Sequence, residues 1–294
     1  MKSIKKNVVT IILIVIGLGG AGLIAYPTFA DWWNSFHQSR AVASYAKTVA
    51  DMKTEDYDSL FESAEAYNAE IAENGIRWNM TEKQREAYEK ELDITGNGIM
   101  GYIEIPNIHV LLPIYHGTNE SVLQIATGHI DGSSLPVGGP GTHTIISGHT
   151  GLPSATLLTH LDRLVVGDTW TITVLNRTLT YEVDEIHIVK PYDLSNLQID
   201  REKDYCTLVT CWPYGVNTER LLVRGHRIEN VQGEATVLAD AMQIRPVYIA
   251  PFIAAPVLLL LILIMLVSTG QRSRKKRRGG KSTENAAGRI AAID

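Results

Sequence analysis

Cysteine is scarce in this 294-residue chain, which has only Cys206 and Cys211. The two lie five residues apart in a stretch, Tyr-Cys-Thr-Leu-Val-Thr-Cys, whose composition is typical of a β-strand. Five strand residues span about 16 Å and place the two side chains on opposite faces. A disulfide needs Cα atoms within roughly 7 Å of each other. The sequence therefore excludes a bond between these cysteines and predicts that Cys211 is a free thiol.

Several common catalytic motifs are also absent. The sequence contains no Gly-x-Ser-x-Gly, His-Glu-x-x-His or P-loop motif, so serine-hydrolase, zinc-protease and nucleotide-binding activities find no support. The segment from Asp93 to Glu104 comes near a calcium loop, with Asn97 and Gly98 at matching positions. Residues 99–105 alternate as a strand, however, where an EF-hand needs its exit helix. We therefore expect no metal site.

Charge is missing from two long apolar runs, at 8–26 and 247–267. Each run is long enough for a helix to cross a bilayer, so the sequence predicts transmembrane helices over 8–28 and 247–268. The alternative for the first is a cleaved signal peptide, because residues 28–30 include the small residues of a processing site. Its apolar run of 19 residues is longer than the apolar region of such peptides, which favours an uncleaved anchor.

Basic residues are concentrated at the two ends of the chain. Lysines within residues 1–7 and a basic tail at 269–294 flank the predicted spans, and positively charged flanks stay in the cytoplasm. Both termini are therefore predicted to be cytoplasmic, at the plasma membrane, with the intervening segment outside. That segment, 31–245, has 16 basic and 30 acidic residues and thus a net charge of −14. The basic tail indicates topology, and nucleic-acid binding is not favoured.

The segment predicted to be extracellular changes in composition near residue 96. Residues 29–95 are rich in Ala, Glu and Lys, and their helical pattern predicts two or three helices with a break at Asn74-Gly75. Residues 96–232 contain short β-branched runs separated by Gly, Pro and Asn, which are typical of a closed or sandwiched antiparallel β-domain. The remaining predicted segments are short helices at 122–129 and 154–163 and a linker at 233–246.

Three residues have the chemistry and the placement for acyl transfer. Cys211 ends a predicted strand beside the turn-rich stretch 212–217, so a rigid sheet can hold its thiol at a cleft. A thiol needs a basic partner to act as a nucleophile, and His149, at the end of another strand, is the best candidate. Arg220 begins the next strand, where a hairpin brings it back towards Cys211 to stabilise an oxyanion. Arg224, about 13 Å further along, is the weaker candidate, and the alternative for both arginines is a surface salt bridge.

Six segments between Gly98 and Arg227 match one known family: GIMGYIEIPNI, LPIYHGT, SSLPVGGPGTHTIISGHTGLPSA, LDRLVVGD, TLVTC and PYGVNTERLLVRGHR. They resemble the catalytic domain of sortases, specifically the class C, pilin-assembling sortases. The Thr-Leu-x-Thr-Cys motif, with an Arg nine residues later and a His in Ser-Gly-His, is highly specific, and two membrane anchors also fit class C. The resemblance implies an eight-stranded β-barrel, no cofactor, and His149, Cys211 and Arg220 as the catalytic residues.

The resemblance also implies a reaction. Cys211 attacks the Thr–Gly bond of an LPxTG-like sorting signal and forms a thioester, while protonated His149 donates to the leaving amine and Arg220 steadies the oxyanion. A lysine amine of a pilin subunit then forms an isopeptide bond. The implied partners are pilin subunits or surface proteins with C-terminal sorting signals, on a Gram-positive plasma membrane. The alternatives are a sortase that uses a cell-wall precursor and an inactive, membrane-tethered peptide-binding module.

One feature common in class C is missing. Class C sortases commonly carry a lid before the barrel, with an Asp-Pro-aromatic motif whose ring covers the catalytic cysteine. No Asp-Pro occurs in this chain. The corresponding interval contains Gly75-Ile-Arg-Trp-Asn-Met80, where Trp78 is the candidate lid residue. The alternative is that Trp78 packs a helix connector.

Overall fold

The computed structural model describes residues 2–230, in which a helical N-terminal region precedes a closed β-barrel. The predicted linker at 233–246, second span at 247–268 and basic tail at 269–294 lie outside the described residues. The helices are α1 (Lys2–Ala50), α2 (Thr54–Asn74), α3 (Glu82–Tyr88) and α4 (Glu120–Leu123). The first three therefore bear out the helical pattern predicted before residue 96.

The first helix, α1, begins at Lys2, before the predicted first span, and continues to Ala50. It is long and apolar enough to cross a membrane, and its most apolar part is not buried against the rest of the protein. No glycine and no proline occurs between residues 28 and 50, so nothing in the sequence stops the helix where the span ends. The structure thus has one continuous helix that includes both the apolar run and the start of the segment predicted to be extracellular.

The break after α2 falls at the predicted position. Gly75 has a φ of +80°, and its N–H donates to the carbonyl of Ile71 at 2.8 Å. The next helix, α3, begins after Thr81, whose hydroxyl accepts from the N–H of Gln84 while the Gln84 side chain accepts from the N–H of Thr81. Residues 75–80, which we call the lid segment, are therefore a non-helical connector between two well-capped helix ends.

Eight strands close the barrel in the order β1–β2–β3–β4–β7–β8–β6–β5. They are β1 (Ile99–Ile105), β2 (Val110–His116), β3 (Thr127–His129), β4 (Thr142–Ser147), β5 (Thr169–Val174), β6 (Arg177–Val189), β7 (Asp204–Trp212) and β8 (Glu219–Ile228). This architecture confirms the eight-stranded barrel that the resemblance implies. Seven strands coincide with the β-branched runs of the sequence, and only β3 was not predicted.

The sequence pattern predicted an antiparallel β-domain, but the barrel is mixed. The pairs β2–β3 and β4–β7 are parallel. Parallel neighbours need a long crossover connection, and the chain between β4 and β7 supplies one that includes the β5–β6 hairpin. Because parallel strands point the same way, the carboxyl ends of β4 and β7 lie at the same edge of the barrel.

The two predicted short helices are present only in part. The interval 122–129 contains the end of α4 and then β3, and the interval 154–163 contains only a 3₁₀ turn at Leu161–Arg163. Residues of β3 instead pair with β2 on one side and β4 on the other. Sheet pairing therefore outweighs the local helical preference of this stretch.

Large side chains fill the barrel interior. Trp170, Tyr181, Ile103 and Leu208 are all buried. At Gly225 an added Cβ would lie 2.6 Å from a ring carbon of Trp170, so the indole requires glycine at that position. Such close packing makes the barrel a rigid support for the strand ends that carry the candidate site.

Candidate active site

Cys211 lies one residue from the end of β7 and directly opposite Arg220 of β8. Residues opposite each other in an antiparallel pair have Cβ atoms about 5 Å apart on the same face. One Arg220 nitrogen, Nη1, donates to the carbonyls of Glu219 at 2.9 Å and Asn217 at 3.3 Å. Within residues 2–230 no carboxylate forms an ion pair with Arg220. Its charge is therefore held beside the thiol by the backbone and is not neutralised by an acidic side chain of this region.

His149 lies on the β4 side of β7, opposite the side on which β8 carries Arg220. In the parallel β4–β7 pair Ser147 is level with Val209, so His149, two residues after Ser147, comes level with Cys211, two residues after Val209. Backbone bonds continue past the end of β4, because the Gly148 N–H donates to the Val209 carbonyl at 3.1 Å. The structure therefore brings the three predicted residues to one edge of the barrel, with Cys211 between His149 and Arg220.

The position of His149 depends on the glycine before it. A Cβ at Gly148 would lie 2.8 Å from the side chain of Leu158, and the Gly148 carbonyl accepts from the hydroxyl of Thr210 at 2.8 Å. The His149 carbonyl accepts in turn from the Leu158 N–H at 3.2 Å. These contacts fix the backbone of the histidine against the strand that carries Cys211.

Glu120, which the sequence analysis did not single out, contributes the nearest acidic group to His149. One of its carboxylate oxygens lies 3.8 Å from Nε2 of His149. The other accepts from Gln124 at 2.5 Å, and Asn119 caps the short helix α4 that carries Glu120. No local motif marks this residue, because its contact with the histidine arises only when α4 packs against the barrel edge.

Arg224 differs from Arg220 in its surroundings. Its Nε and Nη2 donate to the two carboxylate oxygens of Asp184 at 3.0 and 2.9 Å, and Nη2 lies 2.7 Å from Glu185. The guanidinium also lies 4.3 Å above the ring of Tyr205. Arg224 is thus an ion-pair residue of the barrel wall, which is the alternative that the sequence left open for it.

A cavity of about 360 Å³ opens beside Cys211. Its walls are formed by the β4–β5 connection and the β7–β8 turn. The lining residues are Thr150, Thr159, His160, Asp162, Arg163, Thr210, Cys211, Trp212, Tyr214 and Leu221. Sequence reasoning assigned no role to His160, Asp162 or Arg163, although the last two fall in the segment LDRLVVGD that carries the family resemblance. The candidate lid residue Trp78 does not line this cavity.

A buried apolar cluster lies on the same face of the sheet as Cys211. Alternate strand residues share a face, so Val209 lies on the face of Cys211. A cluster forms around it from the buried residues Ile145, Leu197, Val209 and Leu222, with Ile76, Ile130, Val189 and Leu194 packed against them. Ile76 belongs to the lid segment, while Trp78 has 37% of its surface exposed. The lid segment therefore contacts this cluster through its isoleucine.

Backbone contacts hold the lid segment near this cluster. The Arg77 N–H donates to the Gly132 carbonyl at 3.0 Å. A Cβ at Gly132 would lie 2.2 Å from the Arg77 carbonyl oxygen, so only glycine permits this approach. The Arg77 side chain forms an ion pair with Glu70 of α2. The lid segment is thus docked on the β3–β4 connection, beside the strands that carry the candidate site.

Cys206 takes no part in the site. Both cysteines are free thiols, as the spacing predicted, and Cys206 is fully buried on the interior face of β7. Burial raises the pKa of its thiol well above the usual range, which keeps it protonated and unreactive. Cys211 is the partly exposed cysteine of the pair.

The profile of a protein family described as the sortase domain matches residues 103–228. The chain is similar to the crystal structure of sortase C1 from Streptococcus agalactiae, with 54% identity and a TM-score of 0.64, covering 65% of this chain and 100% of that one. It is also similar to the X-ray structure of Clostridium perfringens sortase C with the C-terminal cell wall sorting motif. That match has 38% identity and a TM-score of 0.58, and covers 65% of this chain and 99% of that one.

A curated relative gives a shorter match. The chain is 30% identical over 131 residues to sortase D of Bacillus subtilis (strain 168), which is 44% of this chain. The match spans 63% of that relative, less than two thirds of its length. The residues matched by the sortase-domain profile include His149, Cys211 and Arg220.

Proposed function

Because the chain belongs to the sortase family and has class C sortases among its structural neighbours, we propose that it is a membrane-anchored transpeptidase with Cys211 as nucleophile. Its acyl donor is a surface protein with an LPxTG-like sorting signal, and its acceptor is a lysine amine of a pilin subunit. The observation that carries the proposal is the juxtaposition of Cys211 with His149 and Arg220 at the ends of three neighbouring strands.

In the first half-reaction the Cys211 thiolate attacks the carbonyl carbon of the threonine in the sorting signal. Negative charge develops on the carbonyl oxygen, where the guanidinium of Arg220 stabilises it. The C–N bond to glycine then breaks, and protonated His149 gives its proton to the leaving amine. The product is a thioester between Cys211 and the threonine.

In the second half-reaction a lysine amine attacks the thioester carbonyl. His149, now neutral, accepts the proton that the amine loses, and the C–S bond breaks to restore the Cys211 thiolate. The new bond is an isopeptide bond, and no water is consumed. Arg220 stabilises the oxyanion of this step as well, because both tetrahedral intermediates form at the same carbon beside the same thiol.

The cluster formed by Ile145, Leu197, Val209 and Leu222 lies on the face of Cys211 and is buried, with Ile76 of the lid segment packed against it. Displacement of the lid segment would expose these aliphatic side chains to a peptide, and an aliphatic surface suits the leucine and proline of an LPxTG-like signal. The neighbouring structure of Clostridium perfringens sortase C was solved with a C-terminal cell wall sorting motif. The pilin acceptor itself rests on the class C resemblance.

A coupling assay tests this proposal. Full-length protein is incubated with an LPxTG-containing donor peptide and either a pilin subunit or a cell-wall precursor. We expect an acyl-enzyme on Cys211 and a cross-linked pilin product. Coupling to the wall precursor with no pilin product would make the protein a wall-anchoring sortase instead.

A matched pair of cysteine variants tests the nucleophile. Cys211→Ala is expected to abolish acyl-enzyme and product, whereas Cys206→Ala removes a buried thiol and leaves the chemistry intact. Product formed at the normal rate by Cys211→Ala would refute the thiol mechanism. Peptide binding without any acyl-enzyme in the unmodified protein would favour an inactive peptide-binding module.

A further inference from the structure

An aromatic cluster marks the end of the apolar run on α1. Tyr26, Phe29, Trp33 and Phe36 are all at least 38% exposed, and the rings of Phe29 and Trp33 stack with centroids 6.4 Å apart. Trp32 lies among them and stacks on Phe36. Aromatic residues at the end of a membrane span are typical of the lipid headgroup layer. Residues 26–36 therefore indicate where α1 leaves the bilayer.

The same stretch of α1 is bonded to the barrel. Asp31 accepts from the N–H and the hydroxyl of Thr156, at 2.7 and 2.8 Å. Asn34 donates to the Ser154 carbonyl at 2.8 Å. Both partners belong to residues 149–160, which we call the site loop. The first acidic residue after the apolar run thus serves as a hydrogen-bond acceptor for this loop.

The site loop begins at His149 and ends in the wall of the Cys211 cavity. Thr159 and His160 line that cavity, and the Gly151 N–H donates to the Thr159 hydroxyl at 3.1 Å. This hydrogen bond joins the start of the loop, next to His149, to its end at the cavity wall. A second contact links α1 to the edge of β3, since Gln38 donates to the Ile125 carbonyl at 2.8 Å. The membrane anchor and the candidate site are therefore connected through one short loop.

We propose that α1 and the site loop together form a membrane-contacting surface that holds the Cys211 cavity at the depth of the outer lipid headgroups. The hydrogen bonds of Asp31 and Asn34 with the site loop fix the distance of that loop from the bilayer. The inference rests on the proposed function for its consequence: the contacts of Asp31 and Asn34 bring the thiol to the depth of the scissile bond of a membrane-anchored donor. A soluble donor reaches the thiol by diffusion and does not depend on that depth.

Electrostatic adsorption does not account for this placement. The segment 31–245 has 16 basic and 30 acidic residues, a net charge of −14, and anionic lipid repels a negatively charged surface. The depth of the site is instead set by the helix, which has a fixed rise of about 1.5 Å per residue.

A depth measurement tests the placement without reference to activity. The full chain is reconstituted in phosphatidylglycerol–phosphatidylethanolamine vesicles, and a maleimide fluorophore is attached to Cys211, since Cys206 is buried. The matched control carries Asp51→Cys in a Cys211→Ala background, about 30 Å along the helix direction from Asp31. A quencher attached to lipid headgroups is expected to quench the Cys211 label strongly and the Asp51→Cys label little. Equal quenching of the two labels would overturn the placement.

A substrate comparison tests the role of the two hydrogen-bonding residues. The Asp31→Ala/Asn34→Ala variant is expected to lose at least fivefold in rate with a donor peptide anchored in the vesicle by its own span. It should keep its rate with the same peptide in soluble form. Ser39→Ala, whose hydroxyl bonds only within α1, is the control and should change neither rate.

Equal loss with both donors would mean that the variant merely damages the site loop, and would contradict the depth effect. If the unmodified protein processes neither donor, the proposed function fails while the quenching result still decides the placement.

Discussion

At the scale of single residues, two arginines on β8 illustrate how the same residue type can serve two purposes. Arg220 is opposite Cys211 and bonds only backbone carbonyls in the region described. Arg224, four residues later, is held by two carboxylates and an aromatic ring. Their surroundings predict that the first affects rate and the second affects stability.

Replacing each arginine by lysine separates these effects. Arg220→Lys is expected to lower kcat by about 10² or more, because a flexible ammonium replaces a fixed donor at the oxyanion, with little change in melting temperature. Arg224→Lys is expected to keep kcat and to lower the free energy of unfolding, because lysine cannot make the bidentate contact with Asp184. Peptide kinetics and thermal unfolding of both variants provide the measurement, and a reversed pattern would exchange the roles assigned to them.

Glu120 is expected to act as a positioning residue for His149. Removing its charge with Glu120→Gln should lower kcat/KM by about two- to fivefold, which is the size expected for an exposed ion pair. The effect should be absent in high salt, because salt screens exposed charges. Glu82→Gln, on the first turn of α3, serves as a control for charge alone. An unchanged kcat/KM at low salt would remove Glu120 from the mechanism.

The residues of the site differ in how far the sequence could predict them. Cys211, His149 and Arg220 were identifiable because each stands at the end of a strand-like run beside turn-forming residues. Glu120 and Ile76 were not, because their contacts with the site depend on the packing of a short helix and of a connector. The candidate lid residue Trp78 was chosen for its aromatic ring, whereas the residue of the lid segment that packs against the buried apolar cluster is Ile76.

At the scale of elements, the lid segment offers a direct comparison between Ile76 and Trp78. Ile76 packs against the buried apolar cluster that contains Val209, so Ile76→Ala is expected to loosen the lid segment and speed labelling of Cys211 by a thiol reagent several-fold. Trp78→Ala should have the smaller effect, because Trp78 is exposed and does not line the cavity. Labelling rates of the two variants decide which residue covers the site, and a larger effect of Trp78→Ala would restore the aromatic ring as the lid.

Strand positions were more predictable than strand partners. Seven strands follow from β-branched runs bounded by Gly, Pro and Asn, because those runs carry local information. The strand β3 has only the residues Thr127–His129, and no pattern distinguishes so short a segment. The parallel pairing of β4 with β7 joins residues far apart in the chain, and local sequence does not encode such a pairing.

At the scale of the whole molecule, two buried histidines make the fold sensitive to acid. Burial lowers the pKa of His129 to about 4 and that of His143 to about 4. Each neutral ring is fully hydrogen-bonded. His143, for example, contacts the Gln198 carbonyl at 2.8 Å and the Thr207 hydroxyl at 2.7 Å. Because the carbonyl can only accept, Nδ1 of His143 donates to it and Nε2 accepts from the hydroxyl.

The free energy of unfolding is therefore expected to fall as the pH drops from 6.5 to 4. In that window the unfolded chain binds protons at these histidines and the folded chain does not, so each contributes up to about 3 kcal/mol of lost stability. Above pH 6.5 the contribution is complete, and below about pH 4 no more is lost. Denaturant unfolding at several pH values measures this change in the free energy of unfolding.

A pair of variants assigns that loss to the buried rings. His143→Gln should reduce the pH dependence between 6.5 and 4 by about half, whereas His226→Gln, at a partly exposed site on β8, should leave it unchanged. An identical slope in all three proteins would mean that other groups cause the acid sensitivity.

The parallel alignment of β4 with β7 also has a consequence for the order of events during folding. The bond from Thr210 to Gly148 links residues 62 positions apart, so the intervening chain must be ordered before His149 comes beside Cys211. Closing so long a loop is entropically slow, and such contacts form late. With Cys211 as the proposed nucleophile, a newly made chain therefore carries a thiol without its partners, and catalysis begins only when the barrel closes.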